Sequence, residues 1–244
     1  LGLLSVGAAA QCNPAGRGQL AIIIDDIGYN LERGLALAAL PAPLTLAIIP
    51  ATPHAKRLAH EARQHGKEVM IHMPMASAHG EVRDPLTLTA HLTEEGFTTV
   101  LDHAIAAVPG ATGMNNHMGS GLTQNAPVMA RLMERLRAEQ LFFIDSRTTA
   151  ATVAAESAQA AGIPHASRSV FLDNERDPLL IAKHLLRAVE MAETTGSAIA
   201  IGHPYPETLA ILKDYLPTLP NSVTLAPASA IADCESAQRL TSIP

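Results

Sequence analysis

Short apolar runs, each closing on a polar residue and each followed by a helix-period segment, constrain the fold of this chain more than any other feature. Leu20–Ile24 ends in Asp25-Asp26, Leu44–Ile49 is halted by Pro50, and Glu68–His72 closes on a histidine. Gly113–Asn115 leads into Asn116 and His117, Leu141–Asp145 into Ser146 and Arg147, and His165–Val170 contains Arg168. Ser197–Ile201 runs into Gly202-His203, and Ser222–Leu225 is a last short run. Runs of this length read as buried strands. Between them lie helical segments with recognisable punctuation. Asn30, Thr93 and Asp177 stand as N-caps, Pro127 falls in a first turn, and Gly162 and Gly196 follow helix ends. The polar stretch from Met73 to His91 shows no period and reads as a loop.

Seven or eight β-α units in 244 residues predict a parallel sheet covered by helices, in one domain spanning residues 19–228. An open doubly wound sheet and a closed barrel both fit this rhythm. The strand-end residues favour a (β/α) barrel of about seven strands, because the C-terminal face of such a barrel collects one functional side chain per strand. Residues 229–244 read as a C-terminal tail. Residues 1–18 begin with Leu-Gly-Leu-Leu and end their apolar part in small residues, Ala8 and Ala10 among them. This reads as the back half of a secretory signal or as a flexible lead-in. Cys12 and Cys234 would pair in an oxidising compartment and remain two thiols in a reducing one.

Composition narrows the function classes. A net charge of −6 and the lack of any Lys/Arg block argue against a nucleic-acid partner. Aromatics at 3%, with no Trp, disfavour a module that stacks sugars on aromatic platforms. No apolar run in the body of the chain reaches the ~20 residues of a membrane span. Dinucleotide, P-loop and G-x-S-x-G motifs are missing, so Ser146 lacks the elbow that an α/β-hydrolase serine requires.

The strand ends offer chemistry of another kind. Asp26, His72 and His117 are one hard oxygen and two imidazoles, a set suited to zinc or another first-row divalent ion with a position left for water. Asp25 would point away from Asp26 on an extended strand while staying at the rim, as a base toward water. His203 would protonate a leaving group. Asn116, Asp145, Ser146, Arg147 and Arg168 are candidates for substrate binding or for supporting these groups. His54, His60, His65, His79, His91, His103 and His184 lie in helical or loop contexts without a strand-end partner and read as surface or hydrogen-bonded residues.

Five blocks in order, Ile22–Gly28, Val69–Pro74, Met114–Ser120, Phe143–Thr148 and Ile201–Thr208, resemble the divergent polysaccharide deacetylases, relatives of the NodB-type carbohydrate esterases. The resemblance runs from about Leu20 to Pro227. It implies a distorted barrel, an exported or periplasmic bacterial setting, and metal-dependent removal of acetyl groups from a glycan. By position Asp25 matches the base, Asp26 the metal carboxylate, His72 the first metal histidine and His203 the acid. Four residues after His72 stands Ala76 where the family's ordinary members have a second metal histidine, and His117 is the substitute offered by the next strand. The leading expectation is therefore a metal-dependent deacetylase of an acetylated envelope glycan. A glycan-binding protein without activity and a hydrolase of another ester or phosphate are the alternatives.

Overall fold

Each apolar run becomes a strand, and the helical segment after it returns the chain to the start of the next strand. The structure is a computed structural model and describes residues 16–79 and 84–241. Its strands are β1 (Gly18–Ile27), β2 (Thr45–Ile48), β3 (Glu68–Met75), β4 (Gly113–Met118), β5 (Phe142–Asp145), β6 (His165–Ser167), β7 (Val170–Phe171), β8 (Ser197–Gly202) and β9 (Val223–Leu225). The helices are α1 (Leu31–Ala38), α2 (Ala55–Gln64), α3 (Glu94–Ala107), α4 (Ala126–Ala138), α5 (Ala154–Ala161), α6 (Pro178–Thr195), α7 (Pro206–Tyr215) and α8 (Ala228–Thr241). Asn30, Thr93 and Asp177 cap α1, α3 and α6 through their side chains, and Gly162 and Gly196 end α5 and α6 in left-handed conformation. No helix among the described residues is long and apolar enough to cross a membrane.

All strand pairs are parallel, in the order β6-β5-β4-β3-β2-β1-β8-β7, with β9 on the early part of β1. The two ends of this path are consecutive in the chain. Arg168 still donates its backbone N–H to Asp145 of β5, while Ser169 donates to Ile199 of β8. One expected strand, His165–Val170, is thus two short ones. The chain crosses the seam of the barrel there without a β6–β7 ladder, which is what makes the barrel distorted.

Strand alternation sorts the apolar residues into two layers. Leu20, Ile22 and Ile24 of β1 face outward with Leu46, Ile71 and Phe143, under the helices. Ala21 and Ile23 face the lumen with Ala47, Met70, Phe142, Ile144, Ala166, Ile199 and Ile201. Burial on both faces is why the runs are continuous rather than alternating. Gly113 also belongs to the lumen: a Cβ there would lie 2.5 Å from the Phe142 ring, so only glycine leaves that ring its place.

The expected tail of residues 229–244 is corrected to a helix through Thr241 that closes the lower end of this lumen. Ala228, Ile231 and Ala232, spaced i, i+3, i+4, complete the lumen cluster. The first N–H groups of α8 meet acceptors from strand starts: Ala228 donates to Thr45 Oγ1 (3.0 Å) and Ser229 to Glu68 Oε2 (3.2 Å). Carboxylate and helix dipole have favourable signs there. Of the lead-in expected at residues 1–18, Gly18 already belongs to β1, and residues 1–15 lie outside the described residues, as does Cys12 and with it the Cys12–Cys234 pairing.

Candidate active site

Polar residues take over the lumen one step above the apolar layer. Counting by twos, Ile23 is followed by Asp25, Met70 by His72, and Gly113 by Asn115 and then His117. β3 and β4 are in register with His72 beside Asn115 and Pro74 beside His117. Both strands run further than the sequence indicated, to Met75 and Met118, and this extension carries His117 to the level of the other groups.

Asp25 and Asp26 depart from simple alternation. Between the pairs Ile24–Leu46 and Ile27–Ile48, β1 has two residues where β2 has one. Asp26 absorbs the extra residue at φ +56°, a left-handed conformation that Asp tolerates better than most side chains. Consequently both carboxylates address the same imidazole. Asp25 Oδ1 lies 3.6 Å from His72 Nδ1, and Asp26 Oδ1 lies 3.2 Å from His72 Nε2. The expectation that Asp25 points away at the rim is corrected: it is 3% exposed and faces the cluster.

Three donor atoms form a nearly equilateral triangle. Asp26 Oδ1 is 3.0 Å from His117 Nδ1 and 3.2 Å from His72 Nε2, and the two nitrogens are 3.1 Å apart. Ligands on a tetrahedral zinc ion with ordinary bonds lie about 3.3 Å from each other. Asp26 Oδ1 is buried yet has no hydrogen bond of good geometry, although both imidazoles crowd it. The His72 and His117 nitrogens converge on this orphaned carboxylate oxygen, and one carboxylate oxygen with two imidazole nitrogens at that spacing fits a divalent cation. The nitrogen His72 presents is fixed by Asn115, whose Oδ1 accepts from His72 Nδ1 (2.7 Å) and whose Nδ2 donates to Asp25 Oδ1 (2.8 Å).

Electrostatics follow from burial and these neighbours. Burial disfavours the charged form of His72, but Asp25 and Asp26 outweigh it and hold its pKa at about 9. Burial also opposes the Asp26 anion, and His117 and His72 overcome this, leaving Asp26 well below the usual carboxylate range. At Asp25 burial wins over His72 and Asn115, so its carboxyl is pushed up. A buried carboxylate of raised basicity beside a candidate metal centre is suited to taking a proton.

His203 stands across the cavity, just past β8. Its Nδ1 donates to Asp173 Oδ1 (2.8 Å), and its Nε2 lies 3.8 Å from Asp26 Oδ2. Asp173 is fully enclosed and also accepts from the His203 backbone N–H and from Thr208 Oγ1, both at 2.6 Å. Burial works against the imidazolium, yet Asp173, with help from Asp26 and Asp25, raises the pKa of His203. Phe171 and Tyr205 flank the ring at 5.3 and 5.4 Å between centroids.

The remaining sequence candidates divide into wall and support. Asn116, Ser146, Arg147 and Arg168 line a cavity of ≈ 410 Å³ together with Asp25, His72, His117 and His203. Asn116 also accepts the Ser146 N–H (2.9 Å), fixing the loop after β5. Asp145 is placed outside the cavity wall: its two oxygens accept from the Arg147 N–H (2.8 Å) and Thr152 Oγ1 (3.0 Å), so it shapes that loop. Asn115 and Asp173 are the residues that sequence reasoning missed. A signal for Asp173 existed, since Val170-Phe-Leu-Asp173 repeats the pattern of Phe142-Phe-Ile-Asp145.

Carboxylates and imidazoles gathered at one end of a parallel, imperfectly closed barrel define the class of carbohydrate deacetylases of the NodB kind. Comparison with known proteins makes the assignment specific: the chain belongs to the divergent polysaccharide deacetylase family, whose model matches residues 22–232. It is 37% identical over 222 residues to the uncharacterized protein YibQ of Escherichia coli K12, covering 91% of this chain and 70% of that protein. An uncharacterized protein of Agrobacterium tumefaciens C58 shares the fold with a TM-score of 0.83 at 21% identity, over 88% and 89% of the two chains. The catalytic domain of a peptidoglycan N-acetylglucosamine deacetylase from Eubacterium rectale has a TM-score of 0.59 at 13% identity, over 87% and 89%.

Proposed function

We propose that this protein is a metal-dependent deacetylase that removes acetyl groups from an acetylated glycan of the bacterial envelope, acting in the periplasm or another exported setting. The observation that carries the reading is the triangle of Asp26 Oδ1, His72 Nε2 and His117 Nδ1, with a buried carboxylate on one side and an Asp-backed imidazole on the other. Zinc or another first-row divalent cation held by these three atoms supplies Lewis acidity toward water and toward the acetyl carbonyl.

The chain's own groups do the proton work. Asp25 accepts the proton of the attacking water, and its raised pKa makes it basic enough for the task. Asn115 holds Asp25 and His72 in fixed orientation, so neither pays much reorganisation as charge develops. His203, whose protonated form Asp173 favours, gives a proton from Nε2 to the leaving nitrogen as the carbon–nitrogen bond breaks. Acetate and a free amine are the products.

The test follows acetate release from acetylated aminosugar oligomers and from an activated aryl acetate, with metal content measured in parallel. Asp25→Asn and His203→Ala should each lose about 10²–10⁴-fold on the glycan while keeping stoichiometric metal. His203→Ala should lose less on the aryl acetate, whose phenolate leaves without a proton. If the metal-loaded wild type releases no acetate from any acetylated envelope glycan, the reading fails and glycan binding without turnover replaces it.

A further inference from the structure

Two guanidinium groups stand in the wall of the active-site cavity without an ion pair among the described residues. Arg131, Arg135 and Arg176 each pair with a carboxylate. Arg147 and Arg168 make no ion pair among the described residues, although both line the cavity that also exposes His117 and His203. The nearby acids are committed elsewhere, Asp145 to its own loop and Asp25 to Asn115 and His72.

Arg168 is held through its guanidinium and Arg147 through its backbone. Arg168 lies in the seam between β6 and β7, where Nε donates to the Ser146 carbonyl (2.7 Å) and Nη2 to the Arg147 carbonyl (3.0 Å), and its head sits 5.1 Å over the Phe171 ring. Arg147 occupies a left-handed backbone conformation, φ +49°, uncommon for a long side chain, and Asp145 Oδ1 pins it there through the Arg147 N–H. Burial and the like charge of Arg147 work against the Arg168 cation and outweigh the weaker help of Asp145 and Asp25. Ser146, between Asp145 and Arg147, adds a buried hydroxyl with no hydrogen-bond partner. A fixed guanidinium, an exposed one that repels it and an unsatisfied hydroxyl are together relieved by an oxyanion that accepts from them.

We propose that the cavity takes an acetylated sugar bearing an oxyanion, a carboxylate or a phosphate, with the anion held by Arg147 and Arg168. The acetylated sugar rests on the deacetylase reading above, whereas the oxyanion rests on the arginines alone. Because the arginines share one cavity with His117 and His203, the anion belongs to the reacting residue or its immediate neighbour in the glycan.

The experiment is calorimetric titration of the full chain, as purified and after zinc loading, with three probes: N-acetylglucosamine, N-acetylmuramic acid and N-acetylglucosamine 6-phosphate. At least one acidic sugar should bind tenfold or more tighter than the neutral one, and the preferred arm identifies carboxylate or phosphate. The advantage should shrink as salt rises. It should collapse toward one in R147Q and in R168Q. Arg147 is exposed, so R147Q carries the test if R168Q disturbs the loop, with circular dichroism reporting the fold of each. Equal binding of the three sugars, no binding of the acidic ones at millimolar concentration, or an acidic advantage that survives both substitutions would overturn the proposal. An acidic preference without acetate release sinks the deacetylase reading and leaves the anion site standing. Acetate release without acidic preference does the reverse.

Discussion

His203 depends on a residue thirty positions earlier in the chain. Asp173 engages its ring and its backbone N–H together, setting both where the imidazole points and how tightly it holds a proton. The folded pKa is raised, so the acid role proposed for His203 would be available below that pKa and lost as pH rises through it. Asp173→Asn preserves the shape and removes the charge that opposes burial. The high-pH limb of kcat/KM should therefore move to lower pH, with activity at pH 8 falling further than activity at pH 6. An unmoved limb with uniformly reduced activity would make Asp173 a purely structural support. Asp25, Asp26, His72, His117 and His203 were legible because each lies at or beside the end of an apolar run. Asn115 was not, because an Asn pair gives no parity until a strand register is known; Asp173 had a strand-end signal, but one masked by reading His165–Val170 as a single strand.

Local slips of the elements account for most of what the sequence left open. The period of two assigns Asp25 to the lumen but sends Asp26 to the other side, and only the extra residue in β1 brings both to one place. The same limit applies to β6 and β7, where hydrophobic pattern alone joins His165–Val170 into one strand. The bulge at Asp26 yields a test that separates backbone from charge. Asp26→Asn and Asp26→Val both remove the carboxylate from the candidate metal site, so both should lose metal. Asn is at ease in the left-handed region, whereas a β-branched side chain is strained there. Val should thus be less stable than Asn by about 1–3 kcal/mol in urea denaturation. Equal stabilities would mean that β1 relaxes its bulge once the carboxylate is gone.

The molecule as a whole is a tube with chemistry at one end and a helical stopper at the other. A parallel sheet under helices was foreseeable from the repeat of β-α units, and the barrel, left open at its β6–β7 seam, from where the polar residues fall. The stopper was not, because Ala228, Ile231 and Ala232 make a narrow stripe in a segment rich in small and polar residues. Its importance follows from position. Ile231 is fully buried against the lumen layer of Ala21, Ile23, Met70 and Ile199, and this layer is the floor on which Asp25 and His72 stand. Removing most of its side chain leaves a cavity at the base of the barrel, since strands locked in parallel ladders cannot collapse onto it. Ile231→Ala should cost about 2–5 kcal/mol by chemical denaturation. Metal stoichiometry measured well below the melting temperature should stay intact, because the polar layer above is held by its own bonds between β1, β3 and β4. A loss below about 0.5 kcal/mol, the range of ordinary surface substitutions, would show that α8 lies on the barrel rather than closing it.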